Sequence, residues 1–327
     1  MLVETNEIHD LSNQSGILVF DSTKTMKKSE SQEIKFRGVM KLNEPMKKHT
    51  SWRTGGVAER YFKPDDVDDL CCFLKQLPED EPLFWLGLGS NLLVRDGGLK
   101  GTVIALSGVL NDLEVHNANS VHVGAGVACA KVARVSAQSG LTGGEFLAGI
   151  PGTMGGALAM NAGAFGGETW NIVQSIETIN RQGQRNKRDA ANFEIAYRHV
   201  NLPTNEWFIS AELLLKPDED GKAAERIQEL LNQRAESQPT GKASCGSVFR
   251  NPENDYAARL IEASGLKGKS IGNAQVSEKH ANFIINSGDA SAEDIESLIL
   301  LIQEKVERDH GIALINEVRI VGEHKSS

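Results

Sequence analysis

The sequence predicts an α+β protein whose β-rich N-terminal part precedes a helix-richer C-terminal part. Three observations carry this. Short apolar runs of strand length recur between about residues 39 and 216, punctuated by glycine turns. Apolar residues then recur at helical spacing from Ala223 onward. Between the two regimes lies the polar turn cluster Pro217-Asp218-Glu219-Asp220-Gly221.

Residues 1–33 mix Asn, Ser, Thr, Lys and Glu with one compact apolar patch, Ile17-Leu18-Val19-Phe20, and are expected to be a weakly ordered extension without chemistry. Pro64 to Leu77 sets Val67, Leu70, Cys71 and Leu74 on one helical face. The apolar run Leu83-Phe84-Trp85-Leu86 reads as a buried strand. Gly87-Leu88-Gly89-Ser90-Asn91 and a second run, Leu92-Leu93-Val94, follow at once, which implies a tight glycine turn between two strands. Further strands are expected at 102–106, 121–123, 172–179 and 207–215, with a helix at 128–139 ended by Gly140. Ala223 to Ala235 is a helix presenting Ile227, Leu230 and Leu231, and Asp255 to Ala263 a second, stopped by Gly265. The third has Ser291 as N-cap, Asp294 three residues on, an apolar face of Ile295, Leu298, Ile299, Ile302 and Val306, and Gly311 at its end. Residues 312–321 read as a final strand with Glu317 and Arg319 on one face.

The 327 residues, 40% hydrophobic and 24% charged, are ordinary for a globular protein. A net charge of −9 provides no basic field for nucleic acid or an anionic membrane. No apolar run approaches the roughly 18–20 residues of a membrane span, and a secretory signal pattern is missing, so a cytoplasmic location is expected. The four cysteines, Cys71, Cys72, Cys129 and Cys245, have neither metal nor disulfide-framework spacing and read as small buried apolar residues. Eight scattered histidines without H-E-x-x-H or calcium-loop spacing predict no metal site.

Between Gly143 and Gly167 stand nine glycines in 25 residues, threaded with Leu147, Ile150, Met154, Leu158, Met160 and Phe165. A flexible linker would lack such apolar anchors. Anchored backbone without Cβ atoms offers bare N–H groups to a bulky anion, and Gly152-Thr153-Met154 is placed to open a short helix there. The alternative is a tightly packed turn region. The 87–91 loop lacks the later glycine of a dinucleotide fingerprint and runs into a strand, which excludes a Rossmann reading. Together the two clusters, with the Ser90 hydroxyl and the Asn91 and Asn161 amides, suit the pyrophosphate of a large cofactor. Tyr197-Arg198 lies between predicted strands, where arginine is either a carboxylate clamp or a solvated surface residue. Ser244 to Pro252 has no G-x-S-x-G elbow, so hydrolysis is disfavoured. Glu317 reads either as chemistry or as the strand partner of Arg319. Lys242, Arg250, Arg259, Lys267, Lys269 and Lys279, set against Glu253, Asp255, Glu262 and Glu278, form a small local basic excess that hints at an anionic substrate.

Six segments in order, TSWRTGG (50–56), LGLGSNLLV (86–94), LAGIPGTMGGALAMNAGAFGGE (147–168), YR (197–198), GSVFRNP (246–252) and NEVRIVG (316–322), resemble the UDP-N-acetylenolpyruvoylglucosamine reductase family over about Met40 to Gly322. The resemblance implies a flavoenzyme with non-covalent FAD. It would use NADPH to reduce UDP-N-acetyl-enolpyruvylglucosamine to UDP-N-acetylmuramate in peptidoglycan precursor synthesis, with no obligatory protein partner. It also implies the vanillyl-alcohol-oxidase-type FAD-binding fold. The expected division is FAD-binding subdomains at 34–110 and 111–217 and a C-terminal α+β substrate domain at 218–327. Carried over by motif, Arg198 polarises the substrate carboxylate, Ser247 donates a proton and Glu317 is the catalytic glutamate. The flavin contacts become Gly87, Gly89, Ser90, Asn91, Gly149, Ile150, Pro151, Gly152, Gly155, Gly156, Asn161, Gly163 and Ala164. The chain departs from the family at Cys245, commonly serine or alanine, and at Val200, often serine. Its short interval between Arg198 and Ser247 resembles the branch without a substrate-covering loop. Two other readings stand beside this one: another flavin oxidase or dehydrogenase of the same fold, and a non-catalytic nucleotide-sugar sensor.

Overall fold

The computed structural model describes residues 24–28, 32–117 and 119–325. The Ile17–Phe20 patch lies outside them, and within the expected extension Lys24–Lys28 pairs antiparallel with Gln32–Phe36. A four-stranded sheet follows, in the order Val39–Pro45, Val57–Lys63, Leu99–Ala105, Leu83–Leu86. Its first pair is antiparallel and its last three strands run parallel. Helix α1 (Val67–Gln76) crosses this sheet, capped by the Asp66 carboxylate accepting from the Asp69 amide. Its Leu70, Phe73 and Leu74 are buried, and Phe73 stacks on Phe62 of the sheet.

A five-stranded antiparallel sheet, ordered Arg185–Asp189, Val173–Asn180, Glu206–Leu214, Ser120–Gly124, Leu113–His116, forms the second layer. Helix α2 (Cys129–Gln138) and the short helix α3 (Met154–Met160) close its core. Helix α4 (Ala223–Ser237) departs from the expected apolar face: Ile227 is buried but Leu231 is exposed. Charge docks it instead. Arg226 reaches Glu145, at the start of the glycine-rich stretch, at 3.0 Å, and Asp218 and Asp220 of the preceding turn at 2.5 and 3.0 Å, a set of charge-assisted hydrogen bonds.

Helices α5 (Ala257–Ala263) and α6 (Ala292–His310) pack with a small sheet, Ser270–Ile271, Ala274–Val276 and Ile284–Asn286, around a C-terminal core. The full expected face of α6 is buried, its Ser291–Asp294 capping box is formed, and Gly311 ends it at φ 70°.

The two strands expected in the 83–94 run are present, and they belong to different sheets: Leu83–Leu86 joins the four-stranded sheet, whereas Leu92–Val94 pairs in parallel with Arg319–Val321. One expectation is corrected: the final strand is confined to Arg319–Val321. The Glu317 and Val318 amides both donate to the Val248 carbonyl, at 2.8 and 3.3 Å, and two successive amides on one acceptor break a ladder in which donors alternate.

The loop at 50–56 enters the C-terminal core. Trp52 is fully buried there; its indole donates to the Ile284 carbonyl at 2.7 Å, and Asn286 donates to the Trp52 carbonyl at 2.8 Å. Arg95 grips Glu296, and Asp96 accepts the Ala292 and Glu293 amides at 3.1 and 3.0 Å, capping α6 from the other end of the chain. Asp96→Ala is expected to lower unfolding free energy by about 1–2 kcal/mol, read by urea denaturation. An unchanged midpoint would show the cap to be energetically idle.

Candidate active site

A cavity of about 600 Å³ lies where the two large sheets and the C-terminal core meet. That volume is within the roughly 300–1,000 Å³ of small-molecule and cofactor sites. Its walls include Gly87, Gly89, Ser90 and Asn91 from the first glycine loop. The second stretch contributes Gly149, Ile150, Pro151, Gly152, Gly155, Gly156, Gly163 and Ala164. Arg198, Ser247 and Glu317 line it too.

The glycines divide into two kinds. At Gly87 a Cβ would meet Thr153 Oγ1 at 2.4 Å, at Gly149 the Phe165 ring at 2.4 Å and at Gly155 the Ala125 Cβ at 3.0 Å. Those glycines let protein pack on protein. At Gly152 and Gly156 a Cβ would find no protein atom nearer than 3.6 and 3.8 Å, and neither has a positive φ. Neither strain nor packing explains glycine there; a Cβ would only take up cavity space, so these residues fit a bulky ligand lying against the backbone. The amides at the start of α3 do not serve it. Met154 donates to Val127 and Gly155 to Ala125, at 2.8 and 2.9 Å.

Asn161 does not line the cavity. It is buried at the left-handed C-terminus of α3, donating to Glu168 and the Ala196 carbonyl and accepting from the Trp170 amide. Its amide is a scaffold element, and the expected donation to a cofactor is not available. Asn91 lines the cavity, but its amide also has partners, the Glu317 carbonyl at 3.0 Å and Met160 Sδ at 3.1 Å.

Arg198 occupies the turn between the short strands Ile195–Ala196 and His199–Val200, at φ 55°. Its guanidinium donates to the Asn161 and Gly163 carbonyls, both at 3.3 Å, and to Glu317 Oε1 at 3.2 Å, with its face over the Tyr197 ring. Glu317 therefore pairs with Arg198 rather than Arg319. Its side chain keeps 17% exposure. Burial pushes the Glu317 carboxyl up from its ordinary value, opposed by the nearby charges of Arg198 and Arg250. Ser247 begins a segment fixed by Asn282, whose backbone carbonyl accepts from Val248 while its side chain bonds Phe249 in both directions. Because Glu317 also donates to Val248, Ser247 and Glu317 are held as near neighbours across one peptide carbonyl.

None of the six residues of the expected basic excess lines the cavity, and only the charge of Arg250 reaches Glu317; Arg259 pairs with Asp255 and Lys267 with Glu262. Two arginines not foreseen as site residues do line it, Arg234 near the end of α4 and Arg319, neither with a carboxylate at ion-pair distance among the described residues. Cys245 also lines it, with Sγ 3.5 Å from the Leu92 carbonyl, and burial pushes its thiol up to about 12, which makes it unreactive. Cys72 is exposed, against expectation, while the other three are buried.

A model of the FAD-binding domain matches residues 58–187. With the glycine-lined cavity, this defines the class: an FAD-dependent oxidoreductase. Residues 238–321 match the C-terminal domain of UDP-N-acetylenolpyruvoylglucosamine reductase. The enzyme of that name from Alkalilimnicola ehrlichii is 56% identical over 289 residues, covering 88% of this chain and 97% of the relative. Its namesake from Methylococcus capsulatus is 56% identical over 287 residues, covering 88% and 94%. A solved reductase from Thermus caldophilus superposes with a TM-score of 0.75 at 30% identity, covering 87% of this chain and 98% of that one. The chain belongs to the UDP-N-acetylenolpyruvoylglucosamine reductase family. Among the described residues no helix is long and apolar enough to cross a membrane, and no group of three or more metal-ligating side chains occurs.

The raised Glu317 value has a sign that stability can read. The native state binds this proton more tightly than the unfolded chain does. Its contribution is therefore complete below the ordinary glutamate value and is lost as pH rises through the raised one. Glu317→Gln, neutral at every pH, is expected to unfold at higher urea than the parent at pH 8, with the gap closing towards pH 4. A gap independent of pH would place the effect in packing.

Proposed function

We propose that the protein reduces the enolpyruvyl ether of UDP-N-acetylenolpyruvoylglucosamine to UDP-N-acetylmuramate, with NADPH as hydride donor, in peptidoglycan precursor synthesis. The observation that carries this reading is the convergence of Arg198, Ser247 and Glu317, from three distant segments, on one wall of the glycine-lined cavity. The glycine loops at 87–91 and 149–164 would hold FAD, which would relay hydride from the nicotinamide to the terminal vinyl carbon. Hydride addition leaves charge on the carbon conjugated with the substrate carboxylate. Arg198, fixed by two carbonyls and permanently charged, stabilises that charge together with Glu317, whose Oε1 lies 3.2 Å from its guanidinium. Ser247, whose hydroxyl makes no hydrogen bond within the described protein, gives its proton to the adjacent carbon and completes addition across the double bond. Arg234 and Arg319, free of carboxylates, are placed to meet the negative charge of the substrate's diphosphate.

Purified protein is expected to carry releasable FAD and to consume NADPH only when the enolpyruvyl UDP-sugar is added. Substrate-independent turnover of a hydroxy acid instead would favour another flavin enzyme of this fold. Ser247→Ala is expected to slow substrate reduction by about 10²–10⁴-fold while leaving flavin reduction by NADPH nearly intact, followed by stopped-flow absorbance. Equal impairment of both half-reactions would remove Ser247 from the proton-donating role.

A further inference from the structure

In open α/β sheets ligands settle outside the carboxyl ends of parallel strands. Here three parallel strands, Val57–Lys63, Leu83–Leu86 and Leu99–Ala105, end side by side. A second cavity, about 510 Å³, lies at those ends. Lys63 is the last residue of the first strand, Gly87 and Leu88 follow the second, and Ser107 follows the third; Lys41, Lys48 and His49 complete the charged wall. In a chain of net charge −9, no carboxylate lines this cavity.

The nearest acid is already neutralised. Glu44, 7% exposed, accepts from Lys41 Nζ at 3.2 Å and lies 2.9 Å from His49 Nε2. Lys48 and Lys63 have no carboxylate at ion-pair distance among the described residues. The turn at Ser107-Gly108 leaves room for one of them: a Cβ on Gly108 would stand 3.0 Å from Lys63 Nζ. Tyr61 adds no negative charge, because burial and Glu44 push its phenol up to about 12. Two unpaired ammonium groups, a third tethered one and the Ser107 hydroxyl make a donor-rich set without a carboxylate, which is the chemistry that binds phosphate.

We propose that this crevice is a second anion site, which takes a diphosphate group while FAD and substrate occupy the larger cavity. The proposal rests on the reading that FAD fills the larger cavity. Because Gly87 and Leu88 wall both cavities, an anion here touches the cofactor loop from its far side, and its binding is linked to the state of that loop.

The test uses holoenzyme saturated with UDP-N-acetylmuramate, titrated with inorganic pyrophosphate by calorimetry. One equivalent is expected to bind. Lys48→Ala/Lys63→Ala is expected to weaken it by about tenfold or more, with FAD content and turnover unchanged. A parallel titration with ADP separates the sources: tighter binding than pyrophosphate identifies a nucleotide, and equal binding a free diphosphate. No heat from the saturated holoenzyme, or equal affinity in the variant, overturns the proposal. So does loss of FAD from the variant, which would give the lysines to the cofactor. Parent protein that cannot be loaded with FAD overturns the reading of the larger cavity instead. That failure is distinguishable, since parent and variant would still differ in pyrophosphate affinity.

Discussion

The parallel pairing of Leu92–Val94 with Arg319–Val321 joins the loop that walls the cavity to the segment that carries Glu317. Asn91, immediately before the first strand, makes the junction specific: its carbonyl accepts from Arg319 at 3.1 Å and its amide donates to the Glu317 carbonyl at 3.0 Å. A parallel pair this short is weak in isolation, since parallel ladders are slightly less stable per residue than antiparallel ones. It persists because its surroundings are locked. Leu93 is buried in the C-terminal core, Trp52 lies in that same core with its carbonyl and indole both bonded, and Arg95 and Asp96 hold α6. Closing a loop of more than 200 residues costs only slightly more than closing a short one, because the entropy grows with the logarithm of length. The clamp therefore needs several good contacts, not many.

From that junction the positions of the three polar side chains follow. The Val248 carbonyl, taking two amides from 317 and 318, fixes the Glu317 backbone against the peptide next to Ser247. Arg198 comes from the opposite side, at the tip of a two-residue turn in the left-handed region, which costs a non-glycine residue of order 1–3 kcal/mol. Two backbone carbonyls, the Tyr197 face and Glu317 together offset that cost. A guanidinium held in this way loses little further entropy when a carboxylate arrives, which is the condition for electrostatic stabilisation without reorganisation.

Local chemistry was readable from sequence wherever its partners are near in the chain. The capping box and apolar face of α6 lie within 20 residues and were fully visible. The glycine stretch announced itself through its apolar anchors. The two strands either side of the 87–91 loop were legible, but the sheet partner of Leu92–Val94 was not, because it lies more than 200 residues away and no spacing rule reaches that far. Asn161 looked like a cofactor donor because its neighbours are glycines. Only the fold shows its amide bonded to Glu168 and Ala196. The basic cluster near the C-terminus was a count of charges without their geometry; Asp255 and Glu262 sit within five residues of the arginine and lysine they neutralise. Arg234 carried a weak signal of the opposite kind, a cation near a helix end with no acid one turn away in its helix to pair it.

Glycine content alone cannot separate a tight turn region from a ligand seat, because both exclude side chains. The separation comes from asking what a Cβ would strike. Where it strikes Thr153, Phe165 or Ala125, glycine is favoured by the protein's own packing, and a substitution would have to displace those residues whether or not a cofactor exists. At Gly152 and Gly156 it strikes nothing, and the protein's own packing sets no requirement for glycine there. The packing glycines let the two loops approach so that Gly87 meets Thr153, and the other two leave open the cavity space beside them. The charged side chains of the same cavity, Arg198, Arg234, Glu317 and Arg319, come from other segments of the chain.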